Sequence, residues 1–271
     1  MRSQLTMAAA CLGAAGVVQA GVVVHSTGKD LKSGRETDRE VVYVQDGLVR
    51  IDKVDEHGQA TQMTLFRDGA IWDVHLPQKT YTKMDKAAMQ AGAKEMDAEM
   101  AKMRAQMANM PPEQRAMMEK MMGNMNAKPG GTAPARPEAT WTDTGKTEHV
   151  GSYTCRIWES RFGARLDAQY CVVPKGSLAG GDELIAAMHQ VSSLAHDIMA
   201  AFPVAAEATE REFAAFEKLN GYPVLVRHFS GDAPSTEYVV QSVDHQSVAA
   251  DKFVVPAGFK EKPAFGGSHS G

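Results

Sequence analysis

The chain has 271 residues, a formal net charge of −4 and 44% hydrophobic residues. This composition is typical of a globular protein with a sizeable core. The mildly acidic balance argues against a nucleic-acid binder that relies on a basic surface. Beyond the N-terminus no apolar run approaches the roughly 20 residues of a membrane-spanning helix. We therefore expect neither a transmembrane span nor a nucleic-acid partner.

The first 20 residues are typical of an export signal. Arg2 gives a positive start, the segment from Leu5 to Val18 is small and apolar, and Ala20 offers a small residue at the cleavage edge. We predict cleavage after Ala20 and a periplasmic or secreted protein. A lipid-anchored alternative would make Cys11 the first mature residue, which leaves only a short apolar core before it.

Export would leave two cysteines, Cys155 and Cys171. An even number of cysteines in an oxidising compartment predicts a disulfide. The two residues lie eight positions on either side of Gly163, within a predicted hairpin. This symmetry predicts that they face each other directly across the two strands, near the reach of a disulfide.

Residues 21–85 are predicted to form short antiparallel strands without intervening helices. Asp46-Gly47 and Asp68-Gly69 are turn signals of the type that joins hairpin strands. We predict strands over residues 21–27, 40–44, 48–55, 60–66, 70–75 and 80–84.

The periodicity then changes to that of a helix, and methionine, with 17 residues in the chain, dominates. We predict a Met-rich helical insert over residues 86–125 and a flexible linker over residues 126–138. The candidate ligand-binding methionines of this insert are Met96, Met100, Met103, Met107, Met110, Met117 and Met121.

Strands are predicted to resume at residues 140–148, 152–161, 166–173, 222–229 and 235–244, with a further edge strand over Lys252–Val255. Helices are predicted from Asp182 to Phe202 and, more briefly, over residues 208–218. The expected fold is a single α+β domain over residues 21–265, followed by a disordered tail over residues 266–271. It consists of a curved antiparallel sheet, an incomplete β-barrel of roughly ten strands, whose concave face is covered by the helical insertions.

The order of several short motifs resembles that of a domain-of-unknown-function family of exported bacterial proteins with a Met-rich helical insert. The motifs are Asp46–Asp52, Asp68–Asp73, Lys79–Thr82, Asn220–Leu225 and Phe253–Phe259. More distantly, the pattern is similar to the periplasmic lipoprotein-carrier and lipoprotein-sensor folds. That resemblance implies a lidded, incomplete barrel that holds acyl chains in an apolar cavity. Carriers of that class rely on an Arg inside the cavity; no residue of this sequence maps onto it, although Arg50 lies on a comparable strand.

The methionine stripe is open to several interpretations. Methionine is unbranched and adapts to varied partners, so a lid could use it to hold a lipid, another apolar small molecule or a hydrophobic protein segment. Soft thioethers could instead bind Cu(I), and exposed methionines could scavenge oxidants. The fourth interpretation is an ordinary hydrophobic helix face, although such a face would be expected to contain leucine, and none occurs between Lys86 and Lys128.

A soft-metal site would draw on Met96, Met100, Met103 and Met107, with His196 and Met199 spaced one helical turn apart as further candidates. No Gly-x-Ser-x-Gly elbow follows a predicted strand, and no paired Cys-x-x-Cys zinc spacing occurs. We therefore predict a non-enzymatic binding protein without a cofactor. The alternatives are copper binding and a hydrolase whose site is not recognisable from the sequence.

Overall fold

The computed structural model describes residues 21–108, 111, 139–200 and 218–265. Within these ranges the chain forms twelve strands and two α-helices. The strands are β1 (Gly21–Asp30), β2 (Glu36–Gln45), β3 (Leu48–Val54), β4 (Ala60–Arg67), β5 (Ala70–His75), β6 (Thr80–Asp85), β7 (Ala139–Val150), β8 (Tyr153–Phe162), β9 (Arg165–Pro174), β10 (Gly221–Ser230), β11 (Ala233–Gln246) and β12 (Lys260–Lys262). The helices are α1 (Lys86–Ala108) and α2 (Gly181–Met199).

All twelve strands belong to one curved sheet that does not close. Their order is β12-β6-β5-β4-β3-β2-β1-β11-β10-β9-β8-β7, so β12 and β7 are the two edges. Neighbouring strands are antiparallel except β12, which pairs with β6 in parallel. The predicted incomplete barrel is thus confirmed in outline, with twelve described strands rather than about ten.

Local sequence signals placed most strands well. Asp46 and Gly47 both have positive φ, as do Asp68 and Gly69. This is the backbone of the two-residue hairpin turns that Asp-Gly favours. The predicted edge strand at Lys252–Val255 is wrong. This segment forms a 3-10 helix, Ala250–Phe253, and the strand follows later as β12.

The helix α2 begins where the sequence predicts. Gly180 caps its N-terminus with φ at +71°, in a left-handed conformation that glycine adopts without strain. A Cβ at Gly180 would overlap the Val22 side chain, so glycine also permits the close approach of the helix to β1. The helix packs on β1, β2, β3 and β10, whereas α1 packs on β6 and α2. Neither described helix is long and apolar enough to cross a membrane.

The two faces of strands β1–β6 have different covers. On one face, Val22, Val44 and Val49 share a buried cluster with Leu184 and Ala187 of α2. We call this the helix-covered face. The C-terminal segment, residues 248–262, crosses the opposite face, which we call the outer face, and then joins the sheet edge as β12. On the outer face, one cluster joins Val248 and Phe253 to β1 and β2, and another joins Val255 and Phe259 to β4 and β5.

Several predictions lie outside the described residues. These are the export signal, the shorter helix over residues 208–217, the linker over residues 126–138, the tail over residues 266–271, and Met110, Met117 and Met121. Met107 belongs to α1, but its side chain is outside the described part of the structure.

Cys155 and Cys171 form the predicted disulfide, with their Cα atoms 5.2 Å apart. Their predicted register is wrong, because Cys171 faces Ile157 rather than Cys155. The turn consists of Gly163 and Ala164, and β9 has one extra residue where the register shifts beside Arg161. The two cysteines are therefore diagonal neighbours on one face, and both are buried in the cluster that contacts α2.

We predict that the double variant Cys155→Ala/Cys171→Ala loses about 3 kcal/mol of unfolding free energy, because the disulfide restricts the unfolded chain. Chemical denaturation without reductant measures this difference, and the unsubstituted protein under reducing conditions is the control. Equal midpoints for variant and oxidised protein would contradict a stabilising disulfide.

Candidate functional site

A continuous row of apolar side chains crosses six strands on the helix-covered face. Each member lies directly opposite the next in the register of an antiparallel pair, so all point to the same face. We call these residues the apolar row: Val22, Val44, Val49, Phe66, Ile71 and Met84.

Coverage changes along the apolar row. Val22, Val44 and Val49 are buried in the cluster that includes α2. Phe66 and Ile71, like Met84 beyond them, remain partly exposed. The row therefore leads from the packed core under α2 to accessible apolar surface on β4–β6, close to the start of α1.

Polarity increases along the strands, away from the apolar row. Parallel to the apolar row, and two residues away from it on each strand, a second row mixes apolar and polar side chains: Val24, Val42, Ile51, Thr64, Asp73 and Thr82. After two more residues, a third row is polar throughout: Ser26, Glu40, Lys53, Gln62, His75 and Thr80. The uncovered part of this face is thus an amphipathic surface.

Hydrogen bonds order the polar side of this surface. The Gln62 amide donates to one carboxylate oxygen of Asp73 at 2.7 Å, and the His75 Nε2 lies 3.6 Å from the other oxygen. These three side chains lie on the same face of β4 and β5 as Phe66 and Ile71. They could exchange hydrogen bonds with the polar end of a ligand whose apolar part lies along the apolar row.

The methionines of α1 differ in burial. Met89 is buried at the start of the helix, whereas Met96 is 51% exposed. Met100 and Met103 are partly exposed. The sequence-predicted stripe therefore presents accessible thioethers in addition to packed ones. Missing from the predicted stripe was Met89, although its position about two helical turns before Met96 signals the same face.

The first turns of α1 are fixed by contacts with β6 and with the C-terminus. The Asp85 carboxylate accepts a hydrogen bond from the Ala88 backbone N–H at 2.8 Å, as a helix-capping side chain does. The Phe265 ring lies so close to Gly92 that a Cβ there would be 2.5 Å from the ring. Residues far apart in sequence thereby hold α1 beside the partly exposed end of the apolar row.

His196 and Met199 lie in the last part of α2, and both are partly buried. The Nδ1 atom of His196 is buried without a hydrogen-bond partner among the described residues. Since α2 packs against α1, the two groups of predicted soft-metal ligands are on contacting helices. Within the described ranges, no group of three or more His, Cys, Asp or Glu side chains is arranged to hold a metal ion.

The curl of the sheet allows the charge of Glu40 on β2 to act on Tyr222 of β10, an interaction that the sequence does not reveal. Burial raises the pKa of the Glu40 carboxyl, an effect that Lys53 opposes and Asp38 increases. Burial also raises the pKa of Tyr222 to about 12, and the charge of Glu40 adds to this shift. Tyr222 lies on β10, and in sheet order β1 and β11 separate that strand from β2.

Arg50 does not take the place of the Arg that carriers of the resembling class hold in their cavity. Its guanidinium lies on the outer face, where Nε and Nη2 each donate to Asp52 at 2.7 Å. Its Nη1 donates to the backbone carbonyl of Lys252 at 2.8 Å. Arg50 thus anchors the C-terminal segment and does not line the helix-covered face.

Comparison with protein-family models and with curated protein sequences finds no match. The chain is distantly similar in structure to a LolA superfamily protein from Nitrosomonas europaea. That match has a TM-score of 0.30 and 7% identity, and it covers 87% of this chain and 89% of the other. Because no family model matches, the resemblance to an exported family of unknown function stays a prediction.

Two further solved structures are similar in outline. An uncharacterized conserved protein from Thermus thermophilus matches with a TM-score of 0.45 and 5% identity, over 90% of this chain and 91% of the other. PNGF-II matches with a TM-score of 0.38 and 6% identity, over 90% of this chain but only 31% of the other. All three TM-scores are below 0.5, so these similarities carry no argument about function.

We predict that Glu40→Gln increases the unfolding free energy at neutral pH. The folded-state pKa of Glu40 is raised, so protonation favours folding, and this contribution is lost as pH rises through the folded-state pKa. The neutral amide of the Glu40→Gln variant does not ionise, so the variant keeps this contribution to the free energy of unfolding at neutral pH. In acid, where Glu40 is itself protonated, the two proteins should be equally stable. Denaturation curves measured from acid to neutral pH test the prediction, with Glu95→Gln on the exposed surface of α1 as the control. An equal effect of both substitutions would contradict it.

Proposed function

We propose that this chain is an exported, non-enzymatic protein that binds an apolar ligand on the helix-covered face, beside α1. The observation that carries the proposal is the apolar row. It continues from the core under α2 to the partly exposed side chains of Phe66, Ile71 and Met84. A ligand that removed these side chains from water would gain about 25 cal/mol for each Å² of apolar surface buried.

The character of α1 supports a lid that adapts to its ligand. Its exposed and partly exposed methionines are flexible and polarizable, so they can repack around ligands of different shape. A lipid, another apolar small molecule or a hydrophobic protein segment would all satisfy such a surface. The disulfide supports the proposed location in the periplasm or outside the cell, because disulfides persist in oxidising compartments.

We predict that the double variant Ile71→Ala/Met84→Ala binds a hydrophobic fluorescent dye, N-phenylnaphthylamine, about tenfold more weakly, the equivalent of about 1.4 kcal/mol. The two truncations remove apolar surface from the accessible end of the row. The measurement is a fluorescence titration, paired with native mass spectrometry of protein purified gently from the exporting cell.

Truncations away from this face control for a general loss of packing. Val54 lies on the outer face and Val226 packs beside Trp158, so the variant Val54→Ala/Val226→Ala should retain dye affinity. Protein that carries no lipid and binds no dye would refute the proposed function, as would equal weakening by the two double variants.

A second candidate function, Cu(I) binding, is favoured by the buried Nδ1 of His196, which has no hydrogen-bond partner within the described part of the chain, on a helix that contacts the methionine-bearing α1. Thioether and imidazole are ligands that suit Cu(I).

We predict that replacing Met96, Met100, Met103 and Met107 with Leu abolishes Cu(I) binding while the fold persists. Competition with the chelator bicinchoninate measures the binding, and Met89→Leu is the control because Met89 is buried. Unchanged Cu(I) affinity in the fourfold variant would exclude the stripe as a copper site.

A further inference from the structure

A cavity of about 440 Å³ lies on the outer face, on the opposite side of the sheet from the proposed apolar site. Its volume falls within the range of small-molecule sites, about 300–1,000 Å³. Trp72 and Tyr81 form the wall on β5 and β6, and the C-terminal segment forms the other wall with Val255, Pro256 and Phe259. Arg67 and Asp68 complete the lining.

The aromatic wall is held in position before any ligand binds. The rings of Trp72 and Tyr81 have centroids 5.5 Å apart with a 42° tilt. The Lys83 ammonium lies 5.3 Å from the Trp72 ring. The Tyr81 hydroxyl donates to Glu261 of β12 at 3.2 Å, which ties this ring to the C-terminal segment. The two walls of the cavity, strands β5–β6 and the C-terminal segment, are therefore held together by direct side-chain contacts.

The charged groups of the cavity form a neutral pair. The Arg67 Nε donates to the Asp68 carboxylate at 2.7 Å, and Nη1 donates to the Phe253 carbonyl at 2.6 Å. The Asp68 side chain is 65% exposed, so its oxygens remain accessible to a ligand. A guanidinium can only donate hydrogen bonds, whereas an ionised carboxylate can only accept them.

We infer that this cavity binds a hexopyranose ring of a neutral glycan. The attraction of Arg67 for a ligand carboxylate is opposed by Asp68, and the attraction of Asp68 for a ligand ammonium is opposed by Arg67, so the pair gives little preference for a charged ligand. Neighbouring hydroxyls both donate and accept, so they satisfy the two side chains together. The apolar face of the sugar ring would lie against Trp72, Tyr81 and Phe259, since these side chains offer broad apolar surfaces.

An unsatisfied group of Trp72 supports the same ligand class. Its Nε1 atom is buried and has no hydrogen-bond partner within the described part of the protein. A buried donor without an acceptor is unfavourable, and such groups in proteins call for an explanation. A sugar oxygen would supply the acceptor once a shift of the covering side chains exposes Nε1 to the cavity that Trp72 lines.

The test follows the three indole N–H signals of the chain, which come from Trp72, Trp141 and Trp158. The nitrogen-15-labelled protein is titrated separately with maltotriose, cellotriose and triacetylchitotriose, and Trp72→Phe assigns the Trp72 signal. We expect at least one sugar to shift the Trp72 signal saturably while the signals of Trp141 and Trp158 stay in place. If no sugar moves the Trp72 signal at millimolar concentrations, the inference is overturned.

Substitution of the lining separates a glycan site from a nonspecific effect. Asp68→Asn should weaken sugar binding about tenfold, because an amide disturbs the paired donor and acceptor. Asp46→Asn is the matched control, since Asp46 also precedes a glycine in a hairpin turn with positive φ but does not line this cavity. Equal affinity of the Asp68→Asn and unsubstituted proteins would overturn the inference.

Discussion

Burial of β1 on both faces is the constraint on which the rest of the structure depends. Val22, Val23 and Val24 are only 0%, 3% and 1% exposed. The strand pairs with β2 on one side and with β11 on the other. Although β1 is the first described element of the chain, it lies inside the sheet and joins the strands before α1 to those after it. Its valines therefore commit both halves to one continuous sheet.

The two sides of β1 demand different covers, and distant segments supply them. Val22 and Val24 belong to the buried cluster that includes residues of α2, and Val23 belongs to the cluster formed with the C-terminal segment. Polar anchors hold that segment in place, among them Arg50, Arg67 and Gln45, whose side-chain oxygen accepts from the Val248 N–H at 2.6 Å. Asp52 is buried in its pair with the partly buried Arg50, and such a pair is costly to break because one charge would remain unpaired.

This division of covers places the two proposed sites on opposite faces of the same strands. The alternation of side chains along β5 puts Ile71 on the helix-covered face and Trp72 on the outer face. The first face presents an amphipathic surface that continues the core, and the second presents aromatic rings with an ion pair. The apolar site and the proposed sugar site can therefore be examined separately, with neighbouring residues of one strand serving different ligands.

Much of the local structure was predictable because its signals are local. Alternating apolar residues and Asp-Gly turns predict β2–β5, and a methionine period of three and four predicts α1. The disulfide was predictable because the mature chain would have only two cysteines. Its register was not, since it depends on where Gly163-Ala164 turns and on an extra residue in β9.

The site depends more on tertiary structure. Sequence alone identified the methionines as candidate ligand contacts, and their role stays a prediction. It did not identify the apolar row, because Val22 and Met84 come together on one face only through five successive strand pairings. Nor did it reveal that Arg50 faces the C-terminal segment or that Glu40 acts on Tyr222. Local periodicity determined the strands and helices, whereas the curl and register of the sheet decided which distant side chains meet, since those contacts depend on packing across the whole chain.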